Sequence, residues 1–591
     1  MAEGYVVLVL HAHLPYVLSH GKWPHGTDWL CEAACETYIP LLNTLGRLSS
    51  EGRRAGLTVG ITPVLCEMLA SPLFRSALVE YGREKMEAAI ADAVSFEREG
   101  RRELSRLAVR WHRFYESRLR DFSHTYREDL LGAFRRFHEE GQIELIVSAA
   151  THAYLPLLNR DSSIAAQIAQ GVATYRRHFR SHPKGIWLPE CAYRPEQGPT
   201  GASGRTRGPR KGIEAFLCAH NLSYFFLDGH HVLPRKRPPG GYGPAEIGRE
   251  LTVRELGDLA GEYGTRFEVL PDRGRPSIAG AARDMGAEER RILYSVHRTG
   301  SAASGECAFF ARDIETSLQV WSAQWGYPGD PAYLEFHKKH SPGGLRYWRV
   351  TDHEGDLGTK LPYEPEEAAR RVEVHAEHFK GAIEDKLRRH CQDTGKAGVL
   401  TIPFDAELFG HWWFEGMDWL YSLVCALGEN CATIHRASTV LQHVAPSGAL
   451  ELSEGSWGEG GRHSIWDNVE TAWTWESIRR AEQLMADALE RGSADETGSR
   501  ILRQMARELL LLQSSDWQFL ITTGTAADYG KSRFLGHYKA FEDLRRMLEH
   551  YGLTKTLRKG DQSLLRKLEQ TDAVFDDVDV EWFRERIRDG L

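Results

Sequence analysis

Cysteine is scarce in this chain of 591 residues. There are nine, an odd number, and none sits in a Cys-x-x-Cys pair. Cys31 and Cys35 are four apart, a spacing that suits one face of a helix better than a zinc site. They read as the free thiols of a protein in a reducing cytoplasm. Long apolar runs are also missing: Tyr5–Leu10 and Leu509–Leu512 are among the longest, far short of the ~20 residues a bilayer span needs. The chain opens Met-Ala-Glu without a basic segment, so the apolar stretch after Gly4 reads as a strand and not a secretion signal. Nor is there a surplus of positive charge. Lys and Arg number 74 against 82 Asp and Glu, a net charge of -8 with a pI near 6.4. Such a molecule has no electrostatic reason to seek nucleic acid or an anionic membrane. No internal repeat is evident.

What is present fits a large globular enzyme. Hydrophobic residues make up 42% and charged ones 26%, which excludes a mainly disordered or fibrous chain. At roughly 150 residues per domain the length implies two to four domains. The 16 Trp and 21 Tyr are prominent; such rings fill cores and also stack on sugars.

Seven strand-like apolar runs recur between helical stretches: Tyr5–Leu10, Leu57–Ile61, Ile143–Val147, Gly185–Leu188, Ser223–Leu227, Arg291–Val296 and Val399–Pro403. They lack polar alternation, as expected of parallel strands covered on both faces. Polar and ionisable residues follow six of the seven: His11 and His13, His152, Glu190, Asp228 and His230, His297, and Asp405. A parallel barrel gathers the carboxyl ends of its strands on one rim, where active sites are built. The expected fold is therefore α/β: an incomplete, TIM-like (β/α)7 barrel, with an open doubly wound sheet as the second choice. The barrel should take residues 1–70 and 141–415. Residues 71–140 read as an Arg-rich helical insertion with a solvated charged face, and 416–591 as a C-terminal helical domain that contributes to the cleft. Residues 196–212 and 232–245 are Gly/Arg/Pro-rich surface loops.

His11 and His13, spaced i and i+2, project to one side of a strand. They read either as metal ligands or as neutral donors to a polar substrate, and no His-Glu-x-x-His motif supports the metal. Glu190 in WLPECAY is flanked by Trp187 and Tyr193, a half-dry setting in which its ionisation can be tuned. Asp405 in PFDAELFGHWWFEG is a second carboxylate beside aromatics. Two carboxylates among aromatic rings is the arrangement that cleaves a glycosidic bond. Trp473 and Trp475, on a helix, read as packing; Trp457, in the Gly-rich EGSWGEGG, reads as a ligand contact.

HAHLPYV, THAYLPLL, WLPECAY, PFDAELFGHWWFEG and SSDWQF, spread over residues 11–519, together resemble the characteristic segments of glycoside hydrolase family 57, and within it the 1,4-α-glucan branching enzymes. The resemblance implies an incomplete (β/α)7 barrel and a retaining mechanism with no metal or cofactor. By motif, Glu190 matches the nucleophile and Asp405 the acid/base. His11, His13 and His152 match histidines of the donor-sugar subsite. Trp29, Trp325, Trp412, Trp457, Trp466 and Asp516 match glucan contacts, and Tyr242, in PPGGYGP, a residue on a mobile loop. The partner implied is an α-1,4-glucan as donor and acceptor, with no nucleic acid or membrane, for a cytoplasmic monomer or small homo-oligomer. Asp405 should have a raised pKa, whereas Glu190 should stay ionised near its donors. Competing readings are an α-amylase or 4-α-glucanotransferase with the same carboxylates, a metal-dependent deacetylase or mannosidase built on His11 and His13, and a catalytically dead glucan-binding protein.

Overall fold

The computed structural model describes residues 4–197, 210–233, 286–301, 305–321, 326–352, 355–428, 432–492 and 495–584, with two short paired strands at Glu268–Val269 and Pro276–Ser277. Tyr242 and Trp325 lie outside the described residues.

Seven parallel strands form the centre: β1 (Gly4–Ala12), β2 (Leu57–Ile61), β3 (Ile143–Ser148), β4 (Gly185–Trp187), β5 (Tyr224–Asp228), β6 (Gly305–Arg312) and β7 (Gly398–Asp405). Each pairs with the next in sequence. The ring closes twice, by the pairing of β7 with β1 from Gly4↔Gly398 to His11↔Asp405, and by Arg312↔Thr401 between β6 and β7. Closure leaves no open doubly wound sheet. A further short strand, Ala432–Ile434, runs beside the start of β1.

Successive side chains on a strand point to opposite faces. Val7 and Val9 of β1, Ile146 of β3, Trp187 of β4, Tyr224 and Phe226 of β5, Ala308 and Phe310 of β6 and Val399 of β7 pack together as one buried cluster filling the barrel. The same parity, carried to the carboxyl ends, aims His11, Asp228, Arg312 and Asp405 into the barrel mouth. Strand period and register therefore place the part of the site that the strands themselves carry.

The sixth strand is not where the apolar run at 291–296 placed it. Ala287–Leu293 is a helix, and His297–Ser301 pairs antiparallel with β6 instead of joining the ring. Periodicity cannot separate a short apolar strand from a buried helical turn, and the acidic first turn at Glu288 and Glu289 favours the helix. His297 consequently leaves the rim: its Nε2 lies 3.0 Å from the Ile292 carbonyl and its ring stacks on Phe309. The rim residue of the true strand is Arg312.

Between β2 and β3 run the helices Pro72–Arg98, Arg102–Arg120 and Leu130–Glu139. The second buries Leu104, Leu107, Ala108, Trp111 and Tyr115, a stripe at helical spacing. A buried ion pair, Arg346 to Glu36 at 2.7 Å, stands where this helix meets the barrel, with the Tyr115 hydroxyl 3.4 Å from the same carboxylate. Two helices of the expected C-terminal part stay with the barrel: Gly416–Leu427 packs on the long helix Pro365–Thr394 and Ala437–His443 on β1. Five helices follow, Ala472–Arg491, Glu496–Leu512, Asp516–Thr523, Ala527–Thr554 and Lys559–Thr571. No helix among the described residues is long and apolar enough to cross a membrane.

Two isolated β-bridges dock later segments onto the mouth. Ala153 pairs with Ser514, and Tyr193 with Gly455. Each bridge sits beside a residue that the active site uses.

Candidate active site

Glu190 follows β4 in a left-handed backbone conformation, φ 61° and ψ 23°, which costs a non-glycine residue on the order of 1 kcal/mol. The Trp457 N–H, 3.0 Å from the Glu190 carbonyl, holds it there. His152, after β3, is also left-handed at φ 57°, and the Ser515 N–H fixes its carbonyl at 3.1 Å. Both strained residues are thus pinned by backbone from the later part of the chain.

The side chains converge. The Trp457 indole N–H donates to Glu190 Oε2 at 2.7 Å, and the Ser515 hydroxyl donates to Oε1 at 3.2 Å. Ser515 Oγ is 3.0 Å from His152 Nδ1, and His152 Nε2 is 3.0 Å from His11 Nε2. His13 Nδ1 meets Thr62 Oγ1 at 3.0 Å, and its Nε2 meets Asp516 Oδ2 at 2.9 Å. The His13 and His152 rings stack at 4.1 Å, and His11 lies on Trp187 at 4.8 Å. Across from Glu190, Asp405 ends β7 beside Glu407, whose Oε1 accepts from the Tyr38 hydroxyl at 2.6 Å and the His13 N–H at 3.0 Å. Arg312 pairs with the fully buried Asp228 at 2.6 Å and lies over the Trp457 ring at 5.4 Å.

Burial dominates the electrostatics. It lifts Glu190 to about 8; the Trp457 N–H opposes the shift, while the charges of Asp405 and Asp516 add to it. Asp405 is also pushed well up, by burial and then by Glu407, against the pull of Arg312. Glu407 is raised to about 7, chiefly by burial. Burial would raise Asp516 too, but His13 beside it leaves its carboxyl below the usual range. Desolvation holds His11 and His152 well below 6.5, so both are neutral. The expectation of a raised Asp405 agrees with this picture. The expectation that Glu190 stays ionised does not hold, because its N–H and O–H donors do not outweigh full desolvation beside two other carboxyls.

The structure brings Glu190, Asp405, His11, His13, His152, Trp457 and Asp516 to one place. Trp457 meets Glu190 through its N–H, and its ring stands edge-on to Trp187 at 5.1 Å and to Trp321 at 6.0 Å. Trp412 is 38% exposed beside His411, and Trp29 is half-buried with His25 edge-on at 5.8 Å. Trp466 departs from its expected role as a glucan contact: 2% exposed, it packs on Tyr154 at 4.7 Å and belongs to the core. Trp473 and Trp475 are packing residues, with Trp473 edge-on to Phe534.

Ser515, Arg312 and Glu407 escaped selection from sequence. Ser515 and Glu407 lie inside motifs already singled out, one residue from Asp516 and two from Asp405. Arg312 was hidden by the misplaced sixth strand. Among the described residues, His20, His537 and Asp572 form one group with metal-ligand spacing, and Glu32, Glu36 and His411 another; neither includes the mouth histidines.

A closed parallel barrel with two buried carboxyls, neutral histidines and aromatic rings at its carboxyl rim defines a carbohydrate-cleaving class of site. The glycosyl hydrolase family 57 model matches residues 7–453, and a 1,4-alpha-glucan branching enzyme C-terminal model matches 477–583. The chain belongs to glycosyl hydrolase family 57. It is 41% identical over 580 residues to the 1,4-alpha-glucan branching enzyme of Thermococcus kodakarensis, covering 98% of this chain and 78% of that one. The crystal structure of a GH57-type branching enzyme from Pyrococcus horikoshii superposes with a TM-score of 0.83 at 36% identity, over 100% of this chain and 98% of that one. The alpha-amylase AmyC of Thermotoga maritima gives 0.77 at 29% identity, covering 99% of each chain.

Proposed function

We propose that this chain is a retaining 1,4-α-glucan branching enzyme. Glu190 attacks C1 of an α-1,4-linked glucose while Asp405 gives its proton to the departing oxygen, leaving a β-linked glucosyl ester on Glu190. Asp405 then takes the proton of an incoming 6-hydroxyl, which displaces Glu190 and forms an α-1,6 branch. His11, His13, His152 and Asp516 line the donor subsite, and Trp29, Trp412 and Trp457 border the glucan path, with Trp325 and Tyr242 assigned by motif. The observation that carries the reading is the pair of carboxyls at one mouth, Glu190 held by two donors and Asp405 pushed well above the usual carboxylate range by burial beside Glu407. Burial holds Glu190 high as well, so catalysis requires the protonation state in which that proton has left and Asp405 keeps its own.

The similarity to branching enzymes over nearly the whole chain favours the 6-hydroxyl over water as acceptor; the amylase likeness supports hydrolysis as the second reading. The expected C-terminal part (416–591) gives up its first helices to the barrel, and the segments after them serve this function by bringing Trp457, Ser515 and Asp516 to the mouth. The cysteines among the described residues are free thiols, in keeping with a cytoplasmic enzyme.

Purified protein incubated with amylose is expected to give new α-1,6 anomeric signals by proton NMR at nearly constant reducing ends, and Glu190→Gln to give neither. Rising reducing ends without α-1,6 signals would assign the protein to the amylase reading. Loss of activity in chelator, restored by a divalent metal, would favour the metal-centred one.

A further inference from the structure

With Glu190 ionised, as a nucleophile must be, the hydrogen bonds around it run in one direction. An ionised carboxylate accepts only, so Ser515 Oγ–H must donate to Oε1. That hydroxyl then receives a proton bond from His152 Nδ1 at 3.0 Å. A neutral His152 protonated on Nδ1 has a bare Nε2, which must accept from His11 Nε2–H at 3.0 Å. His11 is left with a bare Nδ1, and that buried atom has no partner among the described residues. It faces Gly60, where a Cβ would come within 3.2 Å of it. The orphan is the end the chain demands: a proton on that nitrogen would reverse or break every bond from His11 to Glu190.

We propose that Ser515 is a positioning residue for Glu190: its hydroxyl joins the carboxylate to the ordered His11–His152 pair and fixes the orientation in which it attacks. The inference rests on Glu190 being the nucleophile. Ser515 suits the task because its own placement is doubly set, by its N–H on the His152 carbonyl and by the Ala153–Ser514 bridge beside it. Asp405 on β7, Asp516 on the neighbouring helix, His13 just after β1 and His152 after β3 also face Glu190, and Arg312 on β6 acts on it through Asp405. Within that field Ser515 is the one neutral donor that reaches Oε1 in the described residues, and Trp457 serves Oε2.

The test compares wild type, Ser515→Ala, Ser515→Thr and Glu190→Gln as pH profiles of kcat/KM on amylose, alongside nitrogen-15 NMR of histidine-labelled wild type. Losing a hydrogen bond to a charged group is expected to lower kcat/KM of Ser515→Ala roughly ten- to hundredfold, with its acid limb displaced upward by about one pH unit. Ser515→Thr, which keeps the hydroxyl, should restore the limb. Recorded above pH 8, where Glu190 is ionised, the spectrum should show His152 protonated on Nδ1 and His11 on Nε2. A folded Ser515→Ala enzyme with the wild-type profile, or His152 protonated on Nε2, overturns the proposal. The spectrum decides even where the alanine variant does not fold. An active Glu190→Gln enzyme instead removes the nucleophile assignment beneath it, so the two failures are distinct.

Discussion

At the scale of single residues, the active site is a place where the fold is stressed. Glu190 combines a left-handed backbone with a buried carboxyl lifted to about 8. In the unfolded chain that carboxyl titrates near 4.5, so the folded state keeps a proton that the unfolded state has lost. Its contribution is fully favourable only below about 4.5 and is lost as pH rises toward 8, reaching a penalty of at most about 3 kcal/mol at pH 7. Glu190→Gln should therefore unfold at a higher temperature than wild type at pH 7, and the gap should close near pH 4 in calorimetry. The same shift sets the rate: kcat/KM should decline on acidification along a limb well above that of an ordinary glutamate. A limb near 4.5 would contradict the raised value. Glu190 and Asp405 were legible in the sequence because each ends an apolar strand among aromatics. Ser515 and Glu407 were not, because a serine or a second acid beside a chosen residue carries no distinguishing pattern until folding shows which neighbour it faces.

At the scale of elements, strand parity accounts for most of what could be read in advance. Continuous apolar runs marked β1, β2, β3, β4, β5 and β7 to within a few residues, and period two then aimed His11, Asp228 and Asp405 inward. The sixth strand failed because Ile292–Leu293 satisfies a helix as well as a strand, and the misplacement hid Arg312. The glycines around Trp457 marked its loop as a place to look, but not its hydrogen bond to Glu190, which depends on the Tyr193–Gly455 bridge joining segments remote in sequence. Trp466, nine residues further on, shows the converse: the same motif logic chose a ring that folding spends on the core. Trp457→Phe separates the two uses of that side chain. It keeps a ring beside Trp187 and under Arg312 but removes the N–H on Glu190 Oε2. We expect kcat/KM on amylose to fall roughly ten- to hundredfold, the worth of one bond to a charged acceptor, with little change in KM. A variant changed in KM alone would mean that the ring's packing matters and its donor does not.

At the scale of the whole molecule, the C-terminal helices serve the barrel by completing its mouth, and they are held to it by a second buried polar chain. His20, in the loop after β1, meets Asp572 at 2.6 Å; His537 Nδ1 meets Glu508 at 2.9 Å and its Nε2 meets Arg533 at 3.1 Å. Because Arg533 can only donate, His537 Nε2 must be bare, and the ring is neutral with its proton on Nδ1. Burial drives it down to about 3 from the usual 6.5, with Arg533 also opposing its charge. As pH falls below 6.5 the unfolded chain takes up a proton here that the folded chain refuses, so stability drains by up to about 1.4 kcal/mol per pH unit until the folded value is reached. His537→Gln keeps a donor for Glu508 and cannot be protonated. Its unfolding free energy, followed by urea titration between pH 6.5 and pH 4, should fall less steeply than that of wild type by about that slope, whatever its stability at neutral pH. Parallel slopes would mean that His537 is already charged in the fold. In that case Arg533 could not donate to it, and the bonds that tie these helices to one another would have to be redrawn, while the His20–Asp572 pair still joined them to the barrel.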